Sequence, residues 1–165
     1  MAAEHGGRIE CDDLLALVEP VFGALSTLHA AGLIHRDVAP DNLMIQEGQL
    51  RLIDFGCARE DSCGTRALTV MLKDGYAPIE QYTRSGQGPW TDVYGLAESL
   101  YHCLTGTKPP SALDRQAKDE LVRPRKLGVS MGRLQEHALM RALYLRPMRR
   151  YRNVDRFHEA LYGSR

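Results

Sequence analysis

Two short polar clusters carry the side chains most able to do chemistry. The first is His35-Arg36-Asp37-Val38-Ala39-Pro40-Asp41-Asn42, and the second begins at Asp54-Phe55-Gly56. Between them lie two apolar runs, Leu43-Met44-Ile45 and Leu50-Arg51-Leu52-Ile53, separated by Gln46-Glu47-Gly48-Gln49. That pattern predicts a small β-hairpin. A hairpin brings its two ends together, so Asn42 and Asp54 should stand side by side. Asparagine offers a neutral oxygen and aspartate an anionic one. The pair suits Mg²⁺, which takes a few protein oxygens and completes its shell with phosphate and water. Asp37, on the loop entering the hairpin, is placed to accept a hydroxyl proton.

The elements around these clusters read as mainly helical. Residues 12–31 place Leu14, Leu17 or Val18, Val21, Leu25 and Leu28 at helical spacing, and Gly32 closes the pattern. Pro20 inside it predicts a kink or a later start. Residues 54–90 hold many turn formers and little periodicity. They read as a long ordered loop, which inside a compact domain is usually functional. Residues 91–105 place Val93, Leu96 or Ala97, Leu100 and Leu104 on one face, so a buried helix is expected there. A short helix from Ser111 and two amphipathic helices over 133–145 and 153–162 close the chain.

The residues resemble the protein kinase superfamily. H-R-D-x-x-x-x-N followed by D-F-G is its signature, matched by His35 to Asn42 and by Asp54 to Gly56. Three further matches stand in order. Tyr76-Ala77-Pro78-Ile79-Glu80 is similar to the A-P-E segment that ends the activation loop. Asp92-Val93-Tyr94-Gly95-Leu96 is similar to the start of the family's buried central helix. Arg150 resembles the late arginine that pairs with the A-P-E glutamate, here Glu80. The runs Ile34 to Asn42 and Gly75 to Tyr82 look most like bacterial serine/threonine kinases. The resemblance spans residues 12–162.

By resemblance, Asp37 is the catalytic base, and Asn42 and Asp54 hold Mg²⁺ for ATP. His35 and Phe55 pack inside the active arrangement, with Gly56 completing the triplet. Arg36 meets an anion in the activation loop, such as a phosphorylated Thr65 or Thr69. Asp92 fixes the backbone near His35 and Arg36 from beneath. The implied reaction is transfer of the γ-phosphate of Mg·ATP to a hydroxyl of a protein substrate, with the alternative of a non-catalytic lobe that binds or scaffolds a partner. Aminoglycoside-kinase-like phosphotransfer is a third reading, disfavoured by Arg36 paired with Phe55-Gly56, by the A-P-x-E segment and by the Asp92 helix.

The chain also departs from the family. No G-x-G-x-x-G occurs and no lysine precedes Lys73. Only 34 residues come before His35, too few for a five-stranded sheet with its helix. The expectation is a kinase carboxy-terminal lobe over residues 1–165: a helical bundle with a small β-hairpin, the amino-terminal β lobe absent. It should have negligible activity alone and an open apolar face where that lobe, or a partner covering the cleft, would dock. Ala39 stands where the family commonly has a lysine touching the γ-phosphate. Lys73, seven residues before Glu80, is the candidate for the missing catalytic charge near Asp37.

Composition narrows the rest. The chain has 165 residues, 44% of them apolar and 25% charged, enough for one globular domain. Lys+Arg and Asp+Glu are both 21, so no net field favours nucleic acid. No stretch reads as a membrane segment or an export leader, which predicts a cytoplasmic protein. Cys11, Cys57, Cys63 and Cys103 form no C-x-x-C or zinc pattern and read as reduced thiols. Residues 133–165 hold eight arginines against three acids, read as a solvated helical face. Trp90 and Tyr101 are expected in the core.

Overall fold

The structure is a computed structural model that describes residues 7–54, 59–60 and 75–163. Phe55, Gly56, Cys57, Cys63, Thr65, Thr69 and Lys73, for which the sequence carries expectations, lie outside the described residues.

Helix α1 spans Cys11–Ala30. It buries Leu14, Leu15, Val18, Val21, Phe22 and Leu25, a stripe that recurs every three to four residues and faces the core. Pro20 neither splits it nor delays its start. The side chain of Pro20 is exposed, and an unbroken turn continues on the buried face. Gly32, at φ +72°, follows the helix end, where a left-handed residue is least costly as glycine. Strand β1, Leu33–Ile34, pairs antiparallel with β4, Arg59–Glu60. Strands β2, Leu43–Gln46, and β3, Gln49–Leu52, form the expected hairpin with Leu43 opposite Leu52. Its two-residue turn has Glu47 at φ +53° and Gly48 at φ +76°, the mirror-image turn that matches strand twist.

Helix α2 is a single turn, Ile79–Tyr82, inside the stretch read as loop. Helix α3, Pro89–Thr105, is the central element. It buries Val93, Leu96, Ala97, Leu100 and Leu104, but also Thr91, Asp92, Glu98, Ser99 and Thr105. Its burial is thus wider than its apolar pattern. Gly106, at φ +68°, ends it in the left-handed region. Helix α4, Ala112–Ala117, starts at Ser111, whose hydroxyl accepts from the Asp114 N–H. Helices α5, Arg133–Ala142, and α6, Val154–Tyr162, pack on each other and on α1 and α3.

Helix α5 stops at Ala142, three residues short of the expected end. The carbonyls of Leu143, Tyr144 and Leu145 are taken by guanidinium groups: Arg115 Nη2 at 2.9 Å, Arg150 Nε at 2.5 Å and Arg150 Nη2 at 2.7 Å. Tyr101 is buried as expected, its hydroxyl donating to the Val122 carbonyl at 2.9 Å. Trp90 is not core. It is half-buried, with its indole N–H donating to the Gly86 carbonyl at 2.9 Å. The ring lies flat over Gly88, where an added Cβ would come within 2.4 Å of it.

Candidate active site

The first polar cluster is held from beneath by α3. Asp92 is 1% exposed and accepts from the backbone N–H of His35 at 2.8 Å and of Arg36 at 2.8 Å. His29, in the last turn of α1, stands 2.7 Å from the same carboxylate through Nε2. One carboxylate therefore ties α1, α3 and the loop together. Gly95, one turn further along α3, allows close approach: a Cβ there would lie 2.8 Å from the Val38 carbonyl. His35 is wholly buried, and burial pushes its imidazole pKa below the ordinary value against the opposing pull of Asp92 and Asp37. The neutral ring that results fits its Nδ1 accepting from the Asp37 N–H at 3.3 Å.

Asn42, in the short turn Pro40–Asn42 that leads into β2, is 5% exposed. Its amide nitrogen donates to the Asp37 backbone carbonyl at 2.8 Å and to Asp37 Oδ2 at 2.8 Å. Both N–H groups thus fix the half-buried Asp37, and the Asn42 carbonyl oxygen is the atom left for other ligands. The Ile53 N–H donates to the Asn42 backbone carbonyl at 2.9 Å, so Asp54 comes one residue beyond the end of the ladder, on the same end as Asn42. Asp54 is exposed. The structure thus brings Asp37, Asn42 and the hairpin end that carries Asp54 to one place.

Two backbone conformations in this region were not legible in the sequence. Arg36 has φ +67° and Asp54 has φ +61°. Left-handed residues other than glycine cost of order 1–3 kcal/mol each and collect where function demands them. Both flank the hairpin, one in each polar cluster.

Segment 75–82 packs against the loop. The Gln81 side-chain amide donates to the Arg36 carbonyl at 2.8 Å. Glu80, 3% exposed, and Arg150, 2% exposed, form a two-pronged pair: Nη1 to Oε1 at 2.6 Å and Nη2 to Oε2 at 3.0 Å. The Thr91 hydroxyl donates to Glu80 Oε1 at 3.1 Å. Arg150 further donates to the Trp90 carbonyl at 3.3 Å and lies 4.6 Å from the centre of the Tyr94 ring. Tyr76 meets His102 Nδ1 through its hydroxyl at 2.6 Å, and burial pushes its phenol up to about 12. Neither this pair nor His29–Asp92 was anticipated. Histidines have no spacing signal when the partner is far away in sequence.

Among the described residues, no group of three or more His, Cys, Asp or Glu side chains could hold a metal ion. The donor set here is smaller and different in kind: one amide oxygen at Asn42 and one carboxylate at Asp54. That composition fits Mg²⁺ bound mainly by phosphate and water. On the hairpin, Met44 and Ile45 are 52% and 53% exposed, one on each face of β2.

The site thus sets a loop aspartate, fixed by the asparagine of the turn before the hairpin, above a buried helix. The family model described as the protein kinase domain matches residues 2–139, and the chain belongs to that family. It is 32% identical over 167 residues to serine/threonine-protein kinase F of Synechocystis sp., covering 98% of this chain and 33% of that protein. It is 36% identical over 106 residues to serine/threonine-protein kinase PknA of Mycobacterium tuberculosis, covering 62% of this chain and 25% of that protein. A solved structure titled PpkA-294 apo form superposes with a TM-score of 0.81 at 33% identity, covering 97% of this chain and 57% of the other. The chain thus spans a quarter to a third of the length of these curated relatives. Its fold is the helical carboxy-terminal lobe of the kinase fold with a small hairpin, and the described residues contain no five-stranded sheet.

Proposed function

We propose that this chain is the catalytic-lobe portion of a protein serine/threonine kinase, whose intact enzyme transfers the γ-phosphate of Mg·ATP to a protein hydroxyl. The carrying observation is the clamp on Asp37: Asn42 donates to both its backbone carbonyl and its Oδ2. Phosphoryl transfer asks for positioning and charge stabilisation more than covalent help. Asp37, held with one oxygen engaged, orients the substrate hydroxyl and takes its proton. Asn42 Oδ1 and the Asp54 carboxylate would hold Mg²⁺, which supplies neutralisation of phosphate charge when bound. Asp92 keeps the loop backbone in place through two amide bonds and the left-handed Arg36. Glu80–Arg150 fixes the segment that Gln81 links to the loop. Arg36 is proposed to meet a phosphorylated Thr65 or Thr69, with Phe55 as an internal packing residue, Gly56 in a structural role and Lys73 supplying charge near Asp37.

The chain by itself is proposed to be inactive, since ATP clamping by a glycine-rich loop and a strand lysine has no counterpart in its sequence. Each ~1.4 kcal/mol of lost transition-state stabilisation is a factor of ten in rate. No helix among the described residues is long and apolar enough to cross a membrane. A cytoplasmic setting is supported by thiols without a pairing pattern, with a protein substrate and no nucleic acid as partner.

The test is radiolabelled ATP with a generic protein substrate, on this chain and on a longer protein joining it to an amino-terminal kinase lobe. The proposal expects turnover in the longer protein only, abolished by Asp37→Asn. Turnover that survives Asp37→Asn refutes the assignment of the base. The exposed Met44 and Ile45 favour a second reading, a non-catalytic lobe that binds a partner through the hairpin. Absence of turnover in the longer protein, together with loss of partner binding in Met44→Ser, would select it.

A further inference from the structure

The described core holds a second buried arginine that the site does not use. Arg115, on α4, is 4% exposed. Its Nη1 donates to the Tyr94 hydroxyl at 3.1 Å and to Glu98 Oε1 at 3.4 Å. Its Nε and Nη2 hold Asp119 at 2.9 and 3.2 Å, and Nη2 also donates to the Leu143 carbonyl at 2.9 Å. Glu98 is fully buried and hydrogen-bonded to Tyr94. The other face of this cluster is Arg150. Its guanidinium lies over the same Tyr94 ring, and it takes the carbonyls of Tyr144 and Leu145, the next two after Leu143.

Two arginines far apart in sequence thus share one tyrosine, one by its hydroxyl and one by its π face. They also share one run of three consecutive carbonyls. Neither can shift without moving the ring or the 143–145 backbone that fixes the other. From Arg150 the chain of contacts continues to Glu80, and from the adjacent Gln81 to the Arg36 carbonyl. Every link is buried or half-buried, so solvent screens the charges little. Dense packing transmits displacement instead of absorbing it.

We propose that Arg115 is a positioning residue for the catalytic loop, acting through Tyr94 and the Leu143–Leu145 carbonyls on the Arg150–Glu80 pair. The outer helix α4, whose Leu113 is 48% exposed, thereby becomes a place from which the segment under Arg36 is biased. The proposal rests on the reading of residues 35–42 as the catalytic loop, but its readout does not depend on turnover.

The test is site-resolved amide hydrogen exchange on this chain with Arg115→Gln. Exchange is expected to rise roughly fivefold or more at the amides of Arg36, Gln81 and Thr83, while Phe157 and Leu161 in α6 hold their rates, the pattern of local opening. Tyr94→Phe, which keeps the ring under Arg150 and removes only the hydroxyl, should give the same pattern more weakly. If Arg115→Gln does not fold, Asp119→Asn loosens the same guanidinium from its exposed side and should accelerate the same three amides. Acceleration confined to α4, or an equal rise at all these amides, overturns the proposal. A failed kinase assay with the exchange pattern intact would refute the catalytic reading alone.

Discussion

Removing Arg150 should do more damage than any other single truncation near the site. Five hydrogen bonds end on its guanidinium: two to Glu80 and one each to the carbonyls of Trp90, Tyr144 and Leu145. Arg150→Met would leave the Glu80 carboxylate, 3% exposed, with the Thr91 hydroxyl as its remaining hydrogen bond from this group of contacts. Stranding one member of a buried pair costs about 3–5 kcal/mol. Tyr144 is exposed and Leu145 half-buried, so their carbonyls should recover water and add little. The Trp90 carbonyl adds about 1 kcal/mol. The expected loss, about 5 kcal/mol from the two contributions, is a large share of the 5–15 kcal/mol typical of a domain. Glu80→Gln keeps the shape and the Thr91 contact, and leaves a cation still held by three carbonyls. It should cost less, about 2 kcal/mol. The double variant Arg150→Met with Glu80→Leu removes both charges and should cost no more than Arg150→Met alone. The measurement is urea unfolding followed by the fluorescence of Trp90, the one tryptophan in the chain and a direct neighbour of the pair. A loss below about 1 kcal/mol for Arg150→Met, or strict additivity in the double variant, would refute the reasoning, because either result means the pair is hydrated and uncoupled.

Three further outcomes follow from the same geometry. Gly95→Ala places a Cβ 2.8 Å from the Val38 carbonyl. Overpacking of that kind costs about 1–3 kcal/mol, and a lower Tm with faster amide exchange in residues 36–38 should report it; an unchanged Tm counts against the close approach. Asp92→Ala leaves the His35 and Arg36 amides without their acceptor and should lower unfolding stability by about 2–4 kcal/mol, with an effect below 0.5 kcal/mol contradicting the clamp. Burial raises the Glu98 carboxyl from 4.5 to about 8 despite Tyr94 and Arg115. The folded state then holds a proton that the unfolded state releases between those values, so stability falls as pH rises from about 4.5 toward 8. Glu98→Gln should therefore gain on the natural protein steadily over that window in a series of thermal melts. A pH-independent difference would show that Glu98 is ionised throughout.

The hairpin, the long α1 and the buried α3 are legible in the sequence; the clamp of Asn42 on Asp37 is seen only in the structure. Local rules suffice for the three elements: two short apolar runs on either side of Gln46-Glu47-Gly48-Gln49 predict the hairpin, and helical spacing in α1 fixes the stripe that must be buried. The order of the polar motifs along the chain also carried the family. Local rules failed where a distant partner takes over. Helix α5 ends before Leu145, where its apolar pattern runs on, because residues 143–145 leave the helix and present their carbonyls to Arg115 and Arg150. Trp90 was misplaced because an aromatic ring that covers Gly88 satisfies it at the surface. The left-handed Arg36 and Asp54 have no signal, since neither is glycine and only the fold around them supports the strain. Polar side chains such as Asp92, Glu98 and Arg115 give no periodic sign of being interior. Their burial is decided by hydrogen bonds between elements that meet only after the chain has folded. A sequence thus determines which chemistry is present and in what order. The tertiary structure alone decides which charges are paired, because pairing depends on distance in space and not along the chain.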